Sequence, residues 1–149
     1  HVKAAVEARG ALHFWRLAIK PGRPVAIGTI AGAAFVGLPG NPVAVFVTFA
    51  FVARVLIARL AGTAPVAPLS LPVRLGFAYR KKEGRREYVR VSLEPGPDGV
   101  QIARKHPQDG AGVLTSLTRT DGLVELEEDM TRIEEGTIVP FLAYALLIG

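Results

Sequence analysis

Two short segments of this sequence combine residue types that could hold a small anion. In the first, a Pro-Gly pair stands between Lys20 and Arg23. Proline followed by glycine suits the centre of a type II turn, which holds its end residues within about 7 Å of each other. Two cations at one corner could therefore bind an oxyanion or a phosphorylated metabolite. A solvated turn with charged ends explains the same spacing equally well.

The second segment runs from an apolar stretch into the predicted start of a helix. It reads Gly-Leu-Pro-Gly-Asn-Pro over residues 37–42. Asn41 is a favoured N-cap and Pro42 a favoured first helical residue. Free backbone N–H groups and the helix dipole attract anions at such a position. Pro39 and Pro42 remove two donors, however, and the physics alone favours an ordinary, well-capped strand-to-helix turn.

A third basic segment lies at residues 80–86, where five of the seven side chains are cationic. We interpret it as the tip of a hairpin, where exposed charge discourages pairing between sheet edges. A basic barrel could also bind nucleic acid. The aromatic residues that would stack on bases are confined to the margins of the segment, at Tyr79 and Tyr88, which weakens that interpretation.

The rest of the sequence excludes several kinds of chemistry. It contains no cysteine, which excludes disulfides, thiolate zinc sites and a cysteine nucleophile. The three histidines are scattered without an i, i+4 pair, and the motifs GxSxG and GxxxxGK(S/T) are absent. The acidic runs at 127–129 and 134–135 are expected to be solvated loop charge. No catalytic apparatus is complete within these residues.

The net charge of +5 is unevenly distributed along the chain. Residues 1–62 hold seven cations and one acid, a balance of +6, whereas residues 63–149 hold eleven cations and twelve acids, a balance of −1. The basic character therefore points to an anionic partner of the first segment. Residues 25–53 form an uncharged run, but glycines and prolines divide it into strands, a loop and a helix, so we expect a soluble protein without a membrane span.

Two regions with different periodicity must position these segments. The first is predicted to contain a helix over 2–9 that ends at a glycine cap, Gly10, strands at 14–19 and 25–30, and a short strand at 34–38 buried on both faces. A helix should start at Pro42, run to about Leu60 and end before Gly62. This helix is apolar on almost every side over 43–53, which predicts that it is buried or that a partner covers it.

Short β-type runs separated by turn residues follow the helix and predict a small barrel or sandwich. They lie at 71–79, 88–93, 100–104, 113–117, 123–126 and 137–142. The predicted organisation is therefore an α/β part over 1–62, a proline-containing linker over 63–68, and a β domain over 69–149.

The two anion-type segments, in this order and at this spacing, resemble the molybdopterin molybdenumtransferases, which are the MoeA and gephyrin E-domain family. The resemblance rests on residues 14–24 and 37–42, and it extends to 84–90 and 114–123. It covers the whole chain but only about the last third of a family member. It implies an α/β remnant, the end of a three-layer molybdopterin-binding domain, followed by a small all-β C-terminal barrel.

In that family the enzyme inserts molybdenum from molybdate into adenylylated molybdopterin, releases AMP and requires a divalent metal. The resemblance therefore implies a cytoplasmic, homodimeric transferase of molybdenum cofactor biosynthesis with Mg²⁺ as cofactor. The family's catalytic, metal and nucleotide residues correspond to positions upstream of His1, so none is assigned here, and we expect the chain alone to be inactive. The implied residues for molybdate and substrate are Lys20, Arg23, Pro24, Pro39, Gly40, Asn41, Pro42, Arg85, Arg90 and Ser116.

Two positions depart from the family pattern, because Ala44 and Ala111 stand where members often carry serine. Fewer hydroxyl donors would then face an oxyanion. Two other functions stay open: a basic nucleic-acid-binding module with a small barrel, and a scaffold or assembly fragment. A salt titration against an oligonucleotide separates the first from an oxyanion enzyme, because nucleic-acid binding weakens steeply with salt.

Overall fold

The computed structural model describes residues 2–148 and begins with an α/β part. The elements of the first part are α1 (Val2–Glu7), β1 (Gly10–Arg16), β2 (Ile19–Lys20), β3 (Pro24–Ile30) and β4 (Ala33–Gly37). Strands β1, β3 and β4 form a three-stranded antiparallel sheet in the order β1-β3-β4. The two-residue strand β2 joins the sheet of the second part of the molecule instead.

One long helix over Pro42–Leu60 completes the first part. It consists of α2 (Pro42–Thr48), a π-helical turn (Phe49–Ala53) and α3 (Arg54–Leu60). The predicted start is confirmed, with Asn41 at the N-cap in an extended conformation and Pro42 as the first helical residue. By length and composition alone this helix could cross a bilayer. Its N-terminal half, however, packs into the protein, because Val43 and Val47 are fully buried.

A closed five-stranded barrel forms the second part. The elements of this part are β5 (Leu71–Leu75), β6 (Tyr79–Arg80), β7 (Arg86–Pro95), β8 (Gln101–Lys105), α4 (Thr115–Thr118), β9 (Gly122–Leu126), β10 (Arg132–Ile133), β11 (Ile138–Ala143) and α5 (Tyr144–Leu147). The barrel strands follow the order β7-β8-β5-β11-β9, and β9 pairs back with β7 to close the sheet. The short strands β6 and β10 pair with each other in a separate sheet. The expected fold class, an α/β part followed by a small all-β barrel, is confirmed.

Strand β7 is buried on both faces, continuously from Glu87 to Val91. Successive side chains of a strand point to opposite faces. Val89 and Val91 accordingly fill the barrel, whereas Tyr88 points out towards the long helix. The ring of Phe51, from the π-helical turn, stacks on Tyr88 with centroids 4.4 Å apart. The helix and the barrel thus share a second apolar core.

Two predictions for the first part are wrong. Gly10 does not cap helix α1, which ends at Glu7; it is the first residue of strand β1. A Cβ at this position would lie 1.8 Å from the Thr29 carbonyl oxygen, so glycine is needed for the close approach of β1 to β3. The strand at 34–38 is also not buried on both faces, because β4 is an edge strand with no fully buried residue.

The predicted strand at 113–117 is wrong as well. Residues 115–118 form the helical turn α4, which leads into β9. The Thr118 hydroxyl donates to the Thr115 carbonyl, and the Thr120 hydroxyl donates to the Ser116 carbonyl. Hydroxyl side chains of this kind compete for backbone groups and favour turns over strands. The apolar residues in the segment conceal this preference.

The basic segment at 80–86 is not a hairpin tip. Strand β6 pairs with β10, whereas β7 lies in the barrel sheet, so the segment is a crossover loop between two sheets. Its Lys81 ammonium is nearly buried and donates to the carbonyl oxygens of Arg85 at 2.6 Å, Glu128 at 3.2 Å and Lys82 at 3.4 Å. Arg86 pairs with Glu128 and Glu125. Much of this charge therefore stabilises the fold.

Replacing Lys81 with methionine should destabilise the protein by about 1–3 kcal/mol, because it keeps the aliphatic stem but leaves three carbonyl acceptors without their donor. Urea unfolding measures the change. The neighbouring Lys82 is exposed, so Lys82→Met is the matched control and should be nearly neutral. Equal stability of the two variants would show that the Lys81 hydrogen bonds contribute nothing.

Candidate functional site

The two parts of the molecule meet where strand β2 joins the barrel. Strand β2 pairs in parallel with the start of β7, which places Lys20 opposite Glu87 in the register. The Arg86 amide donates to the Ala18 carbonyl at 2.9 Å and extends this pairing. The loop that follows β2 is therefore carried to the end of the barrel. This short pairing places the first basic segment beside the barrel.

The loop is further held against the long helix through Gly22. This glycine has a φ of 110°, and a Cβ there would lie 2.5 Å from the Thr48 methyl group. Glycine is thus required both by the backbone and by the contact with the helix. The Lys20–Pro21 peptide bond is cis. Lys20 and Arg23 both line one cleft.

This cleft has a volume of about 300 Å³ and lies between the loop, the N-terminus of the long helix and the barrel. It brings together residues from both parts of the chain, including most of those singled out in the sequence. The predicted residues that line it are Lys20, Arg23, Pro24, Pro39, Asn41, Arg85 and Arg90. Gly40, Pro42 and Ser116 do not line it.

The helix N-terminus at the cleft offers fewer donors than the sequence suggests. Pro42 has no amide hydrogen, and the Val43 amide donates to the Ala111 carbonyl at 3.1 Å. The Asn41 side chain makes no capping hydrogen bond. Ala44 and Ala111, the two positions where serine was expected, both line the cleft. Side-chain cations, rather than backbone amides or hydroxyls, therefore dominate the cleft.

Arg90 is the most deeply buried cation of the cleft, with 8% of its surface exposed. Its guanidinium donates to the carbonyl oxygens of Gly110 and Gln108, each at 3.1 Å. It also donates to the Ser116 hydroxyl. All three partners are neutral, and burial lowers the pKa of Arg90 from its ordinary value. A buried guanidinium without an ionic partner is stabilised by an anion that enters the cleft.

Ser116 acts from behind this arginine. Its side chain is fully buried; its oxygen accepts from Arg90, and its hydroxyl donates to the Val113 carbonyl at 2.5 Å. It therefore fixes the orientation of the guanidinium and does not face the cleft. Its expected role as a direct oxyanion donor does not match this geometry.

Glu87 is a residue of the cleft that sequence reasoning missed. Only 1% of it is exposed. Its Oε1 accepts from Arg85 Nε at 3.0 Å and from Arg85 Nη2 at 2.5 Å. Its Oε2 accepts from the Tyr79 hydroxyl at 2.9 Å and lies 3.2 Å from the Lys20 ammonium. Two of the predicted cations of the site thus converge on one buried carboxylate.

The Glu87 carboxyl is charged despite its burial. Burial alone would raise its pKa, but the hydrogen bonds from Arg85 and Tyr79 and the charge of Lys20 outweigh this effect and hold the pKa below its ordinary value of 4.5. The resulting contribution to stability is complete above the unfolded-state pKa and is lost as the pH falls through the lower, folded-state value.

A second acid of the cleft, Asp109, was also missed. It lies 2.6 Å from the Lys105 ammonium, and their hydrogen bond lowers the pKa of Asp109. The cleft therefore contains five cations and two acids, and both acids are already paired. Among residues 2–148, no carboxylate lies within 4.0 Å of Arg23 or Arg90.

No group of three or more acidic or histidine side chains within the described residues 2–148 is arranged to hold a metal ion. Glu87 and Asp109 are each engaged by cations, which compete with any metal for the same oxygens. The donor set of the cleft fits an anion.

The cleft lies between the α/β part and the five-stranded barrel, and comparison with known proteins shows which family this architecture resembles. Residues 72–144 match the family model described as MoeA C-terminal region (domain IV). A molybdopterin molybdenumtransferase of Haemophilus influenzae is 30% identical over 99% of this chain and 37% of its own length. A molybdopterin molybdenumtransferase 2 of Mycobacterium tuberculosis is also 30% identical, over 89% of this chain and 33% of its own.

Solved structures agree with these relatives. A molybdopterin biosynthesis MoeA protein of Pyrococcus horikoshii superimposes with a TM-score of 0.74 at 28% identity, covering 95% of this chain and 34% of that one. A molybdenum cofactor biosynthesis protein of Pyrococcus furiosus does so with a TM-score of 0.71 at 27% identity, covering 91% and 46%. Residues 72–144 belong to the MoeA C-terminal domain family, and the chain as a whole is similar to molybdopterin molybdenumtransferases. It spans about a third of the length of the curated relatives it matches.

Proposed function

We propose that this chain supplies the oxyanion-binding side of a molybdopterin molybdenumtransferase, which inserts molybdenum from molybdate into adenylylated molybdopterin. Membership of the family supports the reaction class. The observation that carries the proposal is the pair of arginines, Arg23 and Arg90, which face one cleft without a carboxylate partner in the described residues 2–148. The two positive charges of Arg23 and Arg90 would be neutralised by the two negative charges of a dianion.

The chain contributes charge and position to this reaction. Arg90 is fixed by Ser116 and two carbonyls, so its charge costs little reorganisation when a dianion binds or when negative charge develops. Arg23, at the exposed end of the Pro-Gly loop, attracts the anion from solvent. Pro39 and Asn41 form the wall opposite the barrel and limit the size of the ligand.

Mg²⁺, which the family requires, does not fit the residues of this chain. Its preferred ligands are oxygen atoms in an octahedral arrangement, supplied in part by one or two free carboxylates. Glu87 and Asp109, the two acids of the cleft, are both held by cations. We assign no residue here to the metal and propose that catalytic and metal-binding groups lie outside this chain. The chain alone should then be inactive.

Replacing Arg23 with alanine should weaken molybdate binding by about five-fold, the effect of an exposed charge-assisted hydrogen bond. Arg23→Lys should lose less, because it keeps the charge. Calorimetric titration with molybdate measures both. Arg16 lies on strand β1 outside the cleft, so Arg16→Ala has the same change of net charge and should bind as the parent does.

Unchanged binding by Arg23→Ala would leave the Pro-Gly loop with a structural role only. The same titration with a single-stranded oligonucleotide tests the alternative of a nucleic-acid-binding module. Tight binding that weakens steeply between low and physiological salt, together with no affinity for molybdate, would contradict the proposal.

We further propose that the protein is soluble, cytoplasmic and homodimeric. The C-terminal half of the long helix supports self-association, because Val55, Ile57 and Leu60 are exposed on it. Apolar residues grouped on one helix are typical of surfaces that another chain covers. Sedimentation of the native polypeptide measures the association.

A further inference from the structure

Glu87 places a buried negative charge directly beneath a cleft whose other groups attract anions. Its carboxylate engages the Lys20 ammonium from the loop and the Arg85 guanidinium from the barrel. The Lys20 side chain is about half exposed, at 51%, whereas Glu87 is not accessible from solvent. The Lys20 side chain can therefore turn towards a ligand, whereas the Glu87 carboxylate must stay in its buried position.

A dianion that enters this cleft meets two opposing effects. Lys20 and Arg85 attract it, but both already interact with Glu87 and must be shared. The Glu87 charge also repels the dianion through a partly desolvated region, where charges interact more strongly than in water. This repulsion acts on both negative charges of the dianion. Removing the Glu87 charge should therefore strengthen binding, although it removes a contact from the folded protein.

We propose that the Glu87 carboxylate is an internal competitor of the bound oxyanion: it holds Lys20 and Arg85 while the cleft is empty and sets the affinity of the cleft for dianions. The proposal rests on the proposed function of the cleft as an oxyanion site. An internal competitor keeps affinity low enough for the ligand to leave. Glu87 touches no substrate in this arrangement and acts through the two cations.

The test is calorimetric titration of the native polypeptide with molybdate, and separately with sulfate, at low ionic strength. Replacing Glu87 with glutamine should tighten binding of both dianions by about ten-fold, and the gain should fall as salt is added. A residue that only supports the fold would give the opposite result, since its loss would loosen the site and weaken binding. Unchanged or weaker binding by folded Glu87→Gln overturns the proposal.

A double variant tests whether the effect passes through Lys20. In the Lys20→Ala background no ammonium is released, so Glu87→Gln should give a smaller gain than in the parent. A gain of undiminished size would contradict the competition for Lys20. Glu125 is the matched control. Like Glu87, it accepts hydrogen bonds from one arginine and one tyrosine, here Arg86 and Tyr88, but it does not line the cleft. Glu125→Gln should leave the affinity unchanged.

If Glu87→Gln fails to fold, Glu87→Asp replaces it. Aspartate keeps the buried charge but withdraws the carboxylate by one methylene, which weakens its hold on Lys20 and should tighten dianion binding by a smaller factor. Unchanged or weaker binding by this variant overturns the proposal. Failure of the proposed function is distinguishable, because the parent would then bind neither molybdate nor sulfate, and both proposals would fall together.

Discussion

Replacing Arg90 with glutamine should weaken molybdate binding by roughly 10–100-fold, the range for a hydrogen bond to a charged group in a partly desolvated site. Arg90 is nearly buried, its partners are all neutral, and burial lowers its pKa. Because of these features, a bound anion should stabilise the Arg90 charge more than that of any other cation of the cleft. Calorimetric titration of the native polypeptide with molybdate measures the loss.

The matched control is Arg104→Gln. Arg104 is an exposed arginine on the neighbouring strand β8 and already pairs with Glu94. Its replacement should leave molybdate binding unchanged. Because Arg90 also holds the carbonyls of Gly110 and Gln108, the thermal unfolding midpoint of each variant must be measured as well. A folded Arg90→Gln protein that binds molybdate as tightly as the parent would show that the guanidinium has only a structural role.

Replacing Leu123 with alanine should destabilise the protein by about 2–5 kcal/mol, the cost of a large-to-small change in a packed core. Leu123 is fully buried in the cluster that joins the barrel to the long helix, together with Val47, Tyr88 and Leu147. Because this cluster lies between the two parts, the loss should lower the stability of the whole molecule in one transition. Urea unfolding followed by circular dichroism measures it.

Leu71→Ala is the control for this change. Leu71 also lies on a barrel strand, β5, but is 48% exposed. Its replacement should cost much less, because little apolar surface returns to water and no cavity forms. Equal losses for the two variants would contradict the shared core. Separate unfolding of the barrel and the α/β part in the parent would contradict it as well.

The local features of this fold could be predicted because they depend on neighbouring residues. Pro42 specifies the helix start through its fixed φ, and Asn41, a residue type favoured at N-caps, precedes it in an extended conformation without a side-chain capping hydrogen bond. Turn residues between β-type runs predict the barrel strands over 88–93, 100–104, 123–126 and 137–142, all of which the structure contains. The π-helical turn at Phe49–Ala53 could not be predicted, because its apolar sequence also suits an α-helix.

Predictions failed where the decisive contact is distant in sequence. Gly10 looks like a helix cap, but the approach of β3 to β1 requires it. The basic segment at 80–86 looks like a hairpin tip, but β6 pairs with β10, some fifty residues away. In both cases the local pattern fits two structures equally well, and pairing with a remote strand selects one of them.

The resemblance to the family, the helix start and the cations of the two loops could all be predicted from the sequence. Which of those cations face the cleft without an ionic partner, and which are neutralised, depends on the tertiary structure. Lys20 is opposite Glu87 because β2 joins the start of β7, and Arg90 is buried because the loop over 106–112 folds across it. The strength of a charge depends on its burial and its partners, and these are set by strand register between remote segments, which residue spacing along the chain does not specify.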